Sequence, residues 1–309
     1  MSSPSSPLRL GTRGSPLALA QARMTTQALI TRHRWRDDAI QTVIVQTSGD
    51  RIQDRALADI GGKALWTKEL DRALVEGEID FAVHSMKDVE TIRPADIAIA
   101  AMLPRADVRD RLVGATSLAA LPDKPVVGTS SPRRAAQVRR TRPDASIILF
   151  RGNVATRLAK LEQGFAHATL LAAAGLDRLG RSDIGTTIEL DEMLPAPAQG
   201  AVGIETLAAN RQMRDWLAAI NDADTFDCVM AERAVLRALG GTCHSPIAAL
   251  ARIDGGRVHI RAEILTAEGT DQVGGELNID RGNPDAAMAL GKELLDRASP
   301  ALRALFEGA

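Results

Sequence analysis

Short apolar runs alternate with helix-like stripes through the first two hundred residues. LRLGTR at 8–13 has the length and pattern of a strand, and Ser15-Pro16 then opens PLALAQARMTTQALI. PVVGTS at 125–130 repeats the arrangement, with Ser131-Pro132 opening PRRAAQVRR. In SIILFRG at 146–152 the strand leads to Asn153, which opens VATRLAKLEQ, closed by Gly164. Ser and Asn accept hydrogen bonds from first-turn amides, and Pro suits the first helical position. IQTVIVQT (40–47) and IDFAVHS (79–85) predict two more strands, and ATLLAAAGL (168–176) a buried strand and its turn. TKELDRALVEG (67–77) predicts a helix, with apolar residues at 70, 73 and 74 and a glycine stop. Strand–helix alternation of this kind predicts an α/β fold.

Past a helix around 208–219 the pattern changes. CVMAERAVLRAL (228–239) is an amphipathic helix. IAALARI, RVHIRAEILT and QVGGELNI then read as short antiparallel strands, and PDAAMALGKELLDRA as a last helix. This is a separate α+β domain.

A chain of 309 residues exceeds one core of the usual ~100–150 residues, so two or three domains are expected. The first seven residues, MSSPSSP, lack the charged and apolar regions of a signal peptide. No apolar run approaches the ~18–20 residues of a membrane span. The expectation is a cytoplasmic protein with no membrane partner. The two cysteines make no disulfide framework.

Net charge is −1, but the distribution is uneven. Residues 126–160 hold eight basic side chains (Arg133, Arg134, Arg139, Arg140, Arg142, Arg151, Arg157, Lys160) against one acid, Asp144, which leaves +7. Several of these arginines lie at strand ends or first helical turns, where basic residues oppose the helix dipole. Nothing gains from that placement unless an anion arrives, so GTSSPRR (128–134) and RGNVATR (151–157) read as anion sites. Such sites lie beyond the carboxyl ends of α/β strands. A nucleic-acid stripe is disfavoured, because only 3% of the chain is aromatic.

Other residues carry candidate chemistry. Cys243 sits among loop formers in GGTCHSPI. A thiol there can be a nucleophile, a metal ligand or an attachment point. His244 cannot complete a zinc site, and none of the five His has ligand spacing. No local signature supports a papain-like pair. Cys228, on the amphipathic helix, reads as a core residue. HSMKD (84–88) puts Lys87 and Asp88 at a strand's carboxyl end, either as a solvated pair or as a carboxylate that stabilises a cation or moves a proton. GGKALWTKE (61–69) lacks the Walker pattern, Trp66 either covers a flat ring or packs, and the polar 47–63 stretch reads as a flap.

In order along the chain, TRGSPLALAQ, TSGD, GGKALWTKEL, AVHSMKD, GTSSPRR, RGNVATRL, AAAGLDRLG, LPAPAQGAVGIE, AERAVLR and GGTCHSPIA resemble the porphobilinogen deaminases, also called hydroxymethylbilane synthases. The resemblance covers nearly the whole chain. It implies three domains: 1–103 with 201–219, an α/β lobe; 104–200, a second α/β lobe with the arginine-rich cleft; and 220–309, an α+β domain. The two lobes would look like the halves of a periplasmic binding protein, joined by two crossing strands near 100 and 200.

The resemblance also implies the chemistry. Four porphobilinogen molecules add, each with loss of ammonia, to a dipyrromethane cofactor held on Cys243 by a thioether, and water then releases hydroxymethylbilane. By positional match Lys87, Thr129, Ser131, Arg133 and Arg134 would hold the cofactor. Arg13, Ser15, Gln21, Lys63, Arg151 and Arg157 would hold substrate. Asp88 would stabilise the azafulvene cation left when ammonia departs. Each pyrrole carries an acetate and a propionate, which gives a near-neutral protein a use for clustered guanidinium groups. No metal is implied, and a monomer is expected. Three features depart from the family pattern: Asp59 where many relatives have Lys, Ala198 where Gly is usual, and no Tyr at all. The competing reading is a non-catalytic cytoplasmic anion sensor on the same two-lobed fold.

Overall fold

Ser15, three residues past β1 (Leu8–Thr12), caps α1 (Pro16–His33), its hydroxyl accepting from the Ala18 amide at 3.2 Å. The structure, a computed structural model, describes residues 4–46, 64–240 and 245–306. The chain continues through β2 (Ile40–Ile44), α2 (Ala64–Val75), β3 (Phe81–Ser85), a 3-10 turn at Met86–Asp88 and β4 (Ile97–Met102). Next come β5 (Asp110–Val113), β6 (Val126–Gly128), α3 (Pro132–Thr141), β7 (Ser146–Ile148), α4 (Val154–Glu162) and β8 (Ala168–Ala172). They are followed by α5 (Ala173–Arg178), β9 (Thr186–Thr187), β10 (Val202–Leu207), α6 (Arg211–Ala218) and α7 (Ala223–Ala238). The strands β11 (Ile247–Asp254), β12 (Arg257–Leu265) and β13 (Gln272–Asp280) precede α8 (Met288–Arg297) and α9 (Pro300–Arg303).

The chain divides into two compact units. Among the described residues the first holds 4–46, 64–106 and 200–226. Its sheet runs β2-β1-β3-β10-β4, with β1, β2 and β3 parallel and β10 antiparallel to both neighbours. Alternation along FAVHS serves both faces of this sheet. Phe81 and Val83 join Leu10, Leu29, Ile204 and Trp216 on one side, and Ala82 joins Leu70, Leu74 and Ile79 on the other.

The second unit holds 107–199, 227–240 and 245–306. Its first sheet, β7-β6-β8-β5-β9, has the same plan: three parallel strands, then an antiparallel one. Its second sheet is the antiparallel β11-β12-β13, packed on α7 and α8 through Val235, Leu239, Ile260, Ile264, Leu290 and Leu294. Cys228 is 5% exposed within this core. The mixed α/β architecture with a small C-terminal sheet is therefore the one the sequence pattern predicts.

The elements differ from expectation where the signal was short. Residues 173–178 are a helix rather than a turn, since Ala-rich sequence is helix-competent but six residues are too few to show a stripe. α7 begins five residues before the expected 228. The last helix is split, with a 3-10 turn at Pro284–Ala287 ahead of α8. Among the described residues no helix is long and apolar enough to cross a membrane.

Ala198 occupies the left-handed region, at φ 62°. Its amide donates to the fully buried Glu232 of α7, whose other oxygen accepts from the Ala251 amide of β11. An L-residue in this conformation is strained by ~1–2 kcal/mol, while glycine adds ~0.4–1 kcal/mol of unfolded-state entropy. Ala198→Gly is expected to stabilise the protein by roughly 0.5 kcal/mol, measured as a rise in the denaturation midpoint. A fall would show that the left-handed conformation is not strained in the folded protein.

Candidate functional site

Two parallel neighbours of the first unit deliver polar groups to one sheet edge. β1 ends at Thr12 and runs through Arg13 to Ser15, and β3 ends at Ser85 and turns through Met86, Lys87 and Asp88. Gln21, buried on α1, donates Nε2 to the Ser85 Oγ at 2.7 Å and ties the two loops together. The Met86 amide donates to the Ala201 carbonyl at 3.1 Å. Gly203 makes room for the same residue, because a Cβ there would lie 2.0 Å from the Met86 Sδ. Arg13, Ser15, Lys87 and Asp88 are each half-buried. The Asp88 carboxylate has no hydrogen bond or ion pair with any described residue. Lys63 lies outside the described residues.

In the second unit the parallel neighbours β6 and β7 do the same with two capped helices. Thr129 is 4% exposed and its Oγ1 accepts from the Ser131 amide at 3.1 Å. Ser131 caps α3, accepting from the Arg134 amide at 3.4 Å, and Asn153 caps α4, accepting from the Thr156 amide at 2.9 Å. Arg157 bridges the two loops, donating Nε to the Gly152 carbonyl at 3.0 Å and Nη2 to the Ser130 hydroxyl at 3.4 Å. Gly152 sits at φ 107°, and a Cβ there would approach Thr156 to 2.7 Å. Arg151 is buried, with its Nη1 lacking an acceptor among the described residues. Cys243 lies outside the described residues.

The anion that arginines at a helix N-terminus require is in part the protein's own. Asp110, fully buried on β5, accepts from Arg133 Nη2 and Arg134 Nη2, each at 2.7 Å, and from Gln199 Nε2 at 2.8 Å. Arg133 also donates to Gln137 and the Leu194 carbonyl, and Arg134 to the Leu170 carbonyl. Burial alone would raise the Asp110 pKa, but the two guanidinium charges outweigh it and hold the carboxyl well below the usual carboxylate range. Burial likewise pulls Arg133 down, against the opposing pull of Asp110. Two cations on one anion leave a formal +1, and the Nε of each arginine is buried without an acceptor among the described residues. Asp110 gives no signal in the sequence, where Arg109 and Arg111 flank it.

The +7 count over 126–160 overstates the anion site. Arg139 pairs with Glu268, Arg140 with Glu263, and Arg142 with Asp144. Two of these partners lie more than a hundred residues away and were invisible to a local count. Arg178, on the helix that follows β8, is a half-buried guanidinium that sequence reasoning did not single out. Burial brings its pKa down to about 10, with Asp177 offsetting only part. Among the described residues no cluster of His, Cys, Asp or Glu is arranged to hold a metal. The second unit thus offers surplus positive charge and unsatisfied donors, which suit a ligand bearing carboxylates. The first unit offers a carboxylate with no cation bonded to it among the described residues, which suits positive charge.

Two family profiles match the chain. One, described as porphobilinogen deaminase, dipyromethane cofactor binding domain, matches residues 8–215; the other, described as porphobilinogen deaminase, C-terminal domain, matches 226–299. A porphobilinogen deaminase of Sphingopyxis alaskensis is 54% identical, over 99% of this chain and 98% of its own. That of Paracoccus denitrificans is 48% identical over 96% of each. A solved periplasmic VFT2 domain of Bordetella pertussis BvgS, 15% identical, covers 70% of this chain and 85% of its own at a TM-score of 0.39.

Proposed function

The chain belongs to the porphobilinogen deaminase family, and from that premise we propose how its residues divide the work. It is a hydroxymethylbilane synthase, a transferase that joins four porphobilinogen molecules head to tail with loss of ammonia and releases the linear tetrapyrrole by hydrolysis. Dipyrromethane is its cofactor and, when bound, would supply the free pyrrole carbon at which the first new bond forms.

In this reading Cys243 holds the dipyrromethane through a thioether. Arg133 and Arg134, with the +1 that Asp110 leaves them, take its acetate and propionate groups, and Thr129, Ser131 and Lys87 add hydrogen bonds. Arg13, Ser15, Gln21, Lys63, Arg151 and Arg157 take the carboxylates of incoming substrate. Asp88 stabilises the positive charge that spreads to the pyrrole nitrogen as the amino group leaves its methylene carbon as ammonia, and can hold the proton lost when the ring regains aromaticity. The observation that carries the assignment is the Asp88 carboxylate itself, at the carboxyl end of β3 with no described cation bonded to it.

The three-domain division, 1–103 with 201–219, 104–200 and 220–309, belongs to the same reading and is supported by the three separate sheets. The reading extends to a cytoplasmic monomer acting on free porphobilinogen, without membrane or nucleic acid. The net charge of −1, and the pairing of Arg139, Arg140 and Arg142 with carboxylates of the chain, support the last point. A non-catalytic sensor would keep the guanidinium groups and dispense with Cys243; family membership disfavours it.

Intact mass tests the anchor. The purified chain should exceed its 32.9 kDa sequence mass by one dipyrromethane, and Cys243→Ser should match its own sequence mass. A wild-type chain at its sequence mass, or a Cys243→Ser chain that still carries the group, would overturn the assignment.

A further inference from the structure

Among the described residues nothing bonds to the Asp88 carboxylate, so its place follows the backbone turn that carries it. That 3-10 turn is three residues long and has no side-chain cap. Whatever fixes the turn therefore bears on the carboxylate. The start of the turn is held by the Gln21–Ser85 hydrogen bond and by the Met86 amide on Ala201. On its far side, Glu90 is held by a buried guanidinium.

Arg93, with a side chain 7% exposed, grips Glu205 of β10 with two hydrogen bonds, Nε to Oε1 at 2.8 Å and Nη2 to Oε2 at 2.9 Å. Its Nη1 donates to Glu90 at 3.2 Å, two residues beyond Asp88, and its Nη2 also reaches Asp71 of α2. The Thr67 hydroxyl of α2 meets the same Glu90 oxygen at 3.4 Å. His84, on the strand that leads into the turn, places Nε2 3.1 Å from Glu205 Oε2, although off a hydrogen-bond line. One guanidinium thus joins β10, α2 and the segment after Asp88.

This arrangement is costly. Three carboxylates meet one arginine, a formal −2 before any proton on His84. Burial alone would raise the Glu205 pKa, but His84 and Arg93 outweigh it and set it at about 2. Asp71 is pushed up, chiefly by burial, with Arg93 opposing. Buried ion networks are poor stabilisers against apolar packing, and their best use is to fix geometry.

We propose that Arg93 is a positioning residue for the reaction: through Glu90 and Glu205 it holds the far side of the Asp88 turn, and so keeps the carboxylate on the pyrrole nitrogen. The inference rests on the assignment of Asp88 above. Arg93→Lys keeps the buried charge and loses the fork. A displacement near 1 Å costs up to about 100-fold in rate, so kcat is expected to fall about 10–100-fold with KM within about threefold. Intact mass should still show the covalent dipyrromethane.

The deciding measurement repeats the substitution in an Asp88→Asn background. If Arg93 acts through Asp88, it produces no further fall in kcat there. A fall of the same size in both backgrounds, or none in either, overturns the inference. Should Arg93→Lys fail to accumulate as folded protein, Glu90→Gln removes one partner of the guanidinium and is read in the same cycle, with an expected loss of about 3–10-fold. Near-normal kcat for Asp88→Asn alone would overturn the Asp88 assignment and the inference with it. An impaired Asp88→Asn with additive losses overturns the inference only.

Discussion

Asp88→Asn is expected to lower kcat by about 10²–10³-fold, equivalent to ~3–4 kcal/mol of lost transition-state stabilisation. The substitution keeps the size and planarity of the side chain and removes its charge. No described residue bonds to the carboxylate, so the substitution breaks no ion pair among the described residues. The thermal midpoint should therefore stay close to wild type while turnover collapses. Porphobilinogen should still bind, since the proposed assignment gives the substrate's carboxylates to guanidinium groups rather than to Asp88, and KM should change less than kcat. Steady-state rates with a parallel melting curve check both. A variant that keeps near-normal turnover would remove Asp88 from the chemistry.

Asp110→Asn should act on the fold instead. It leaves two buried guanidinium groups facing an amide that can accept from only one side. Removing one partner of a buried charge pair costs ~3–5 kcal/mol, and each kcal/mol shifts the midpoint of a mid-sized protein by ~2–4 °C. A fall of about 6–20 °C by calorimetry is expected. The sign of the pH dependence follows from the direction of the shift. The folded Asp110 pKa lies below its unfolded value, so its contribution is present above about pH 4 and is lost as the pH falls through the folded pKa. Asp110→Asn should flatten that part of the acid-denaturation profile. An unchanged midpoint would show that the two arginines need no internal counter-ion.

Local grammar carried most of the fold. Ser15, Ser131 and Asn153 cap helices as the sequence suggests, because a cap and the amide it serves lie within three residues. The strands of the C-terminal sheet were legible from their alternation. β10 was not legible from its pattern, because Glu205 and Thr206 place polar atoms in a fully buried strand. Their partners, Arg93 and the Asp80 carbonyl, sit more than a hundred residues earlier. The site divided the same way. The loops that bring Thr129, Ser131, Arg151 and Arg157 to one sheet edge could be read, whereas the engagement of Arg133 and Arg134 with Asp110 could not. A count of charges in a window sees which residues are basic and nothing of what they already hold.

That prior engagement also bears on how the second unit folds before any ligand arrives. Two bare guanidinium groups buried side by side would repel each other strongly in low dielectric. With Asp110 between them only a single residual positive charge is left to bury. The empty chain can therefore assemble this corner unaided, and a carboxylate ligand has one charge rather than two left to answer.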